Sequence, residues 1–168
     1  MEILELGVVL WSAEHFSVLE CYSALLPAPS NPAARFNGIP EDLLACASRE
    51  VDLSWQVFLS ICERADAVVA HQADFDRAFL REVIDYCDSD SPAADAFAAQ
   101  CTALYEKDWI CTIEDVEWPC PTPYKHLIGV ALAHGVAVTS AHRAIQDCLL
   151  LARCLERLPD FGYLSRAL

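Results

Sequence analysis

Lysine is nearly absent from this chain: Lys107 and Lys125 are the only two in 168 residues. Eleven basic residues stand against 25 acidic ones, a net charge of −14, with a pI near 4.5. A surface that coats nucleic acid is thereby excluded, because neutralising many phosphates needs dense Lys and Arg. A nuclease is not excluded. It can hold a short strand locally through metal ions, and its metal site is itself acidic. No apolar run approaches the roughly 20 residues of a membrane helix. The start, Met1-Glu2-Ile3-Leu4-Glu5, lacks the positive flank of a secretory signal, so a soluble cytoplasmic protein is expected. The five histidines show no H-x-x-x-H and the nine cysteines no C-x-x-C, the close spacings of many zinc sites. An odd cysteine number, irregular spacing and apolar settings such as Leu149–Leu155 point to buried reduced thiols rather than disulfides.

Hydrophobic residues make up 55% and charged residues 21%, which rules out a wholly disordered chain. The length fits one ordinary domain, residues 1–168, with a single core. Leu4–Trp11 and Phe16–Leu26 read as strands joined by the short stretch Ser12–His15, a hairpin. Pro27, Pro29 and Pro32 force a loop, and Asn37-Gly38-Ile39-Pro40 reads as a turn. A short helix is expected from Glu41 to about Ala45, and a helical stripe runs from Trp55 to Arg64. Asp66–Ala70 and Trp109–Ile113 are short apolar runs typical of buried strands. Further helices are expected over Phe75–Tyr86, Ala93–Tyr105, His126–His134 (ended by Gly135) and His142–Leu158. Asp88–Pro92 breaks the chain, Pro119, Pro121 and Pro123 mark a loop, and Pro159 ends the last helix. The expected fold class is α/β, a mixed sheet flanked by helices. Trp11, Trp55, Trp109 and Trp118 read as core or rim.

Two segments stand out chemically. Ala70-His71-Gln72-Ala73-Asp74-Phe75-Asp76 follows a strand and opens a helix, where α/β proteins gather functional groups. Asp76 falls in the first turn, favoured there by the helix dipole; the plainer alternative is that Asp74 or Asp76 caps the helix. In Ala141-His142-Arg143-Ala144-Ile145-Gln146-Asp147, His142 and Asp147 would sit roughly 140° apart on an ideal helix. They can share a site only if His142 lies at or before the helix start. Asp147 leads into an apolar run, and a carboxylate buried there needs a partner or a metal; the alternative is an exposed helix flank. His71, His126 and His134 read as structural.

These segments together resemble the DEDDh 3′–5′ exonuclease superfamily, which contains polymerase proofreading subunits and ribonuclease T. The resemblance runs from about Ile3 to Pro159. Ile3-Leu4-Glu5-Leu6-Gly7-Val8-Val9 is similar to the family's second strand and Asn37-Gly38-Ile39-Pro40 to its G-I-T/P turn. Residues 70–76 are similar to its A-H-N-A-x-F-D motif, with Gln72 in place of Asn. Residues 141–147 are similar to A-H-R-A-x-x-D, and Lys125-His126-Leu127 precedes Gly135-Val136 as in the family. The resemblance implies a ribonuclease-H-like fold and hydrolysis with two Mg²⁺ or Mn²⁺ ions roughly 4 Å apart. It implies Asp76 and Asp147 as metal ligands and His142 as general base, an imidazole titrating near working pH. It further implies Gln72, Gly38, Ile39 and Arg143 as substrate contacts and a single-stranded 3′ end of DNA or RNA as substrate. A polymerase or a second copy would be the protein partner.

The family's first motif, D-x-E-T on a central strand, has no counterpart in this chain. Glu2, Glu5 and Asp74 do not match it in position. Two of four metal-binding carboxylates are therefore absent, and weak metal binding with little or no hydrolysis is expected. A start codon placed too far downstream would explain the loss; the alternative is a non-catalytic relative that binds without chemistry. Without the first central strand, either the strands at Leu4–Trp11 and Asp66–Ala70 pair directly or a gap opens between them with exposed apolar edges.

Overall fold

The computed structural model describes residues 3–47, 49–87, 91–120, 125–139 and 142–158. The expected break at Asp88, the loop prolines Pro121 and Pro123, Ala141 of the second motif and the stop at Pro159 lie outside these residues. The element order is β1 (Glu5–Ser12), β2 (Ser17–Leu25), α1 (Ala34–Asn37), α2 (Glu41–Ala45), α3 (Val51–Glu63), β3 (Ala67–Ala70), α4 (Ala73–Asp85), α5 (Pro92–Tyr105), β4 (Asp108–Cys111), α6 (Leu127–Ala133) and α7 (Ala144–Leu155).

The mixed α/β class holds, but the expected single mixed sheet does not. The described strands form two separate pairs. β1 and β2 are antiparallel, from Glu5 opposite Leu25 to Ser12 opposite Ser17, with an irregularity between Leu10 and Trp11. β3 and β4 are parallel, from Ala67 beside Asp108 to Ala70 beside Cys111. Among the described residues no hydrogen bond joins β1 to β3. Of the two arrangements expected, direct pairing of β1 with β3 is not seen among the described residues.

The two pairs nevertheless share the same covering layers. Successive strand side chains alternate between faces. Leu6, Val8, Val68 and Trp109 therefore pack on one side with Trp55 and Leu59 of α3, Leu80 of α4, and Cys101 and Leu104 of α5. Trp11, Ala67, Val69 and Ile110 pack on the other with Leu151 and Leu155 of α7. Helix α6 lies against α7 through Ala131, Val136, Leu150 and Cys154. Trp118 joins this second side, and its indole N–H donates to the Thr112 carbonyl at 2.8 Å.

Local chemistry explains the helix bounds. Ser91 accepts from the Ala94 N–H at 3.2 Å and Pro92 occupies the first helical turn of α5, where a missing N–H costs nothing. His126 accepts from the Gly129 N–H at 2.9 Å at the start of α6. Gly135 (φ 68°) follows α6 and Gly38 (φ 66°) follows α1, each in the left-handed conformation that glycine adopts most readily. The thiols are all unpaired, but only Cys62, Cys101 and Cys154 are buried. Cys21, Cys46 and Cys120 are exposed, which corrects the expectation of a buried set. No helix among the described residues is long and apolar enough to cross a membrane.

Candidate functional site at the starts of α4 and α7

Gly7 of β1 sets the position of α7. A Cβ built on Gly7 would lie 2.6 Å from the Ala144 carbonyl carbon and Cβ. Only glycine leaves room for the helix start to rest on the strand. The contact is clamped by charge. Arg143 donates from Nε to Glu5 Oε2 at 3.1 Å and from Nη2 to Glu5 Oε1 at 3.0 Å, and the Ala144 N–H donates to Oε2 at 2.9 Å. The Glu5 side chain is 7% exposed. Its charge thus meets both a guanidinium fork and the positive end of a helix. Arg143, expected to touch substrate, is committed to Glu5.

His142 lies outside α7, which starts at Ala144 with Arg143 as its N-cap. The geometric condition for sharing a site with Asp147 is therefore met. The His142 main-chain N–H donates to Asp147 Oδ1 at 3.1 Å. His142 adopts φ 65° and its side chain is exposed. Asp147 is half-buried, not on an exposed flank. Burial holds its carboxyl above the usual range; the His142 N–H and imidazole pull it down and the Glu5 charge pushes it up.

The same pattern recurs at α4. Gln72, the N-cap, has φ 70° and ψ 53° and makes no side-chain cap bond. Its side chain is exposed. Non-glycine residues in this region are strained, and such strain concentrates at functional sites. Of the three described non-glycine residues with positive φ, Phe16, Gln72 and His142, two stand within two residues of the starts of the helices that carry Asp76 and Asp147. Asp76 keeps a solvent-accessible surface, yet the protein crowded around its carboxyl pushes it up to about 6, against a bond from its own main chain.

Asp76 and Asp147 both act on one thiol. The Cys148 thiol is pushed up to about 12, first by burial and then by the charges of Asp76, Asp147, Cys62 and Glu5. Its Sγ donates to the Gly7 carbonyl at 3.6 Å. His71 closes the other side as a structural tie. Its Nδ1 lies 3.0 Å from Thr112 Oγ1 and its Nε2 2.7 Å from the Lys125 carbonyl. Burial lowers its pKa, against the bond to Lys125, and Nε2 donates to that carbonyl, which can only accept. His134 is similarly structural, bonded to the Val130 carbonyl and the Cys120 N–H.

The Gly38–Ile39 turn is built differently. Asn31 donates from Nδ2 to Asn37 Oδ1 at 2.9 Å and to the Ile39 carbonyl at 2.7 Å, and Asn37 Oδ1 accepts from the Ile39 N–H at 3.0 Å. Ile39 is 1% exposed, so its side chain serves the core and cannot reach a ligand; Gly38 is exposed. Two further basic residues, Arg77 and Arg81 of α4, are engaged too. Arg81 pairs with Asp85 at 3.1 Å, and the Arg77 guanidinium lies 4.7 Å from the centre of the Tyr105 ring.

Glu5 is the residue that sequence reasoning passed over. Its one signal was an acid placed inside an otherwise apolar strand. No protein-family profile matches this chain, and no curated protein is similar to it.

Proposed function

We propose that the chain is the body of a metal-dependent 3′–5′ exonuclease-type hydrolase of ribonuclease-H-like fold, acting on single-stranded 3′ ends of DNA or RNA, and that its site is incomplete in this chain. One observation carries the reading: the charges of Asp76 on α4 and Asp147 on α7 both act on the same thiol, Cys148, and Asp147 accepts from the main-chain N–H of His142, which lies outside the helix. The order of elements supports it. So does the lack of pairing between β1 and β3 among the described residues, at the place of the D-x-E-T strand in the resembled family.

The implied Mg²⁺ or Mn²⁺ pair does not fit the donor set. Among the described residues no three His, Cys, Asp or Glu side chains gather as a metal group. Two divalent ions a few ångströms apart need bridging and flanking carboxylates. Asp76 and Asp147 are two, and burial makes both reluctant to ionise. No hydrolytic step is therefore assigned to ions. What these residues can do is narrower. The exposed His142 imidazole can take a proton from a water, Asp147 fixes the main chain that carries it, and Asp76 offers a second carboxylate from α4.

A non-catalytic binding module is the second reading, and the commitment of Arg143 to Glu5 favours it. The two separate on one experiment. The coding sequence upstream of Met1 is read, and any in-frame extension is expressed and assayed on end-labelled single-stranded DNA and RNA with Mn²⁺. A D-x-E-T strand that restores 3′-end trimming, lost in Asp76→Ala and Asp147→Ala, supports the hydrolase. An immediate stop codon, or an equally inactive longer chain, supports the binding module.

A further inference from the structure

We propose that the free edge of β2 is a homodimer interface, at which a second copy of this chain adds its own β2 antiparallel to make one four-stranded sheet. The inference goes beyond the hydrolase reading and is independent of it. An upstream strand placed between β1 and β3 would pair with the other side of β1 and leave this edge open.

Main-chain directions define the edge. Leu26 N–H donates to the Leu4 carbonyl at 2.9 Å. Bonded positions alternate along an antiparallel pair, so Ala24, Tyr22 and Glu20 turn their main chain to Leu6, Val8 and Leu10 of β1. Cys21, Ser23 and Leu25 then turn their N–H and C=O groups outward. Among the described residues β2 pairs with no strand but β1, and no further main-chain bond reaches these three.

The edge lacks its common guards. β2 spans nine residues, Ser17–Leu25, with no proline and no lysine, the residues that most often keep an edge from pairing. Its one charge, Glu20, is matched by Arg64. Cys21 and Ser23 are exposed, and so are the apolar side chains of Val18 (43%) and Leu19 (62%). The ladder is irregular only at Leu19, which has no partner on β1, so the regular edge runs from Glu20 to Leu26.

These features specify a second copy. The edge offers no unmatched charge to select a foreign strand, and its regular stretch complements itself. Turned about a two-fold axis at Ser23, it sets Ser23 opposite Ser23, Tyr22 opposite Ala24, Cys21 opposite Leu25 and Glu20 opposite Leu26. No charge meets a like charge, and the two Glu20 carboxylates fall at opposite ends. The same patch on both partners is what a two-fold interface requires. Room is available, because α7 rests on β1 through Gly7. The two α7 helices would stand three strand spacings apart, about 14 Å, beyond the roughly 8–10 Å of packed helices. Each copy carries a net charge of −14, which opposes association at long range, so salt should screen the repulsion and tighten the dimer.

Sedimentation equilibrium on the full chain tests the interface. The mass should rise from one chain to two with concentration, and the dimer should tighten between about 0.05 and about 0.5 M NaCl. Two variants block the edge. Ser23→Pro removes an outward N–H that β1 does not use, and Cys21→Lys places a charge on the edge. Each should weaken the dimer about tenfold or more while the circular dichroism stays that of the parent. Ser23→Cys, made with Cys21, Cys46 and Cys120 replaced by serine, should form a disulfide-linked dimer under mild oxidation. Residues facing each other in a bonded antiparallel pair lie about 5.5 Å apart between Cα atoms, within the disulfide range. A chain that stays monomeric at every concentration and salt would overturn the proposal. So would a dimer that Cys21→Lys leaves unchanged, or one that Ser23→Cys never cross-links.

Discussion

Arg143 reaches back across 138 positions to grip Glu5, with Nε donating to both carboxylate oxygens and Nη2 to Oε1, while the neighbouring Ala144 N–H donates to the same carboxylate. This clamp fixes where α7 starts, and so where His142 and Asp147 stand. Replacing Glu5 by Gln keeps the shape and removes the charge. Charge-assisted bonds to a buried carboxylate contribute about 2 kcal/mol. Glu5→Gln should therefore lower the unfolding free energy by about that much in urea titrations. The exposed Arg81–Asp85 pair is the contrast, and Arg81→Ala should change stability by under about 0.5 kcal/mol.

Gly7→Ala tests the close approach directly. The new methyl would lie 2.6 Å from backbone and side-chain atoms of Ala144 and Ile145, and neither backbone can yield without moving the helix. Overpacking of this kind costs about 1–3 kcal/mol. Urea titration should show that loss, with faster amide exchange at the start of α7. An unchanged midpoint would mean that α7 does not rest on β1.

Asp76 makes stability depend on pH with a definite sign. Its carboxyl is raised from 3.8 to about 6 in the folded chain, so the folded state holds the proton more tightly than the unfolded state. Between those two values rising pH ionises the unfolded chain first and stability falls; above about 6 the loss is complete. Asp76→Asn removes this dependence. The variant should gain stability over the parent as pH rises from about 4 to about 7, read as a widening gap between urea midpoints. A gap that does not change with pH would contradict the assignment.

Backbone strain at Gln72 predicts a gain. With φ 70° and ψ 53°, the position suits glycine, and relief of a left-handed residue is worth roughly 1 kcal/mol. Gln72→Gly should raise the thermal midpoint, and a β-branched substitution such as Gln72→Val should lower it. The Gly substitution leaves Asp76 in place and so separates strain from chemistry.

The sequence carried the local elements well and the long-range ones poorly. Helix α2 spans Glu41–Ala45 as its turn signals indicate, because Pro40 precedes it and the acids Glu41 and Asp42 favour its first turn. α4 starts at Ala73 rather than Phe75, since a left-handed Gln72 opens the helix two residues earlier. α1 was not foreseen because four residues among prolines show no periodicity. Apolar runs located β1 and β3, but the period of a strand says nothing about which strand it pairs with, so the split into two sheets was legible only as one of two alternatives. Motif order singled out Asp76 and Asp147, and their charges both act on the Cys148 thiol. Glu5 and Arg143 were not legible as a pair, because each looks like a surface charge until the fold brings residues 5 and 143 together. Ile39 was misplaced for the opposite reason: a turn residue reads as accessible, and here Asn31 and Asn37 fold the turn inward.

Mn²⁺ binding by calorimetry, on this chain and on Asp76→Ala and Asp147→Ala, tests the half-built site most directly. The account predicts no binding, or a weak heat that neither substitution abolishes, because two carboxylates are too few to hold two divalent ions. Binding of about two ions, lost in both variants, would contradict it. Some other acid would then complete the site, and the chain as it stands would be a competent hydrolase.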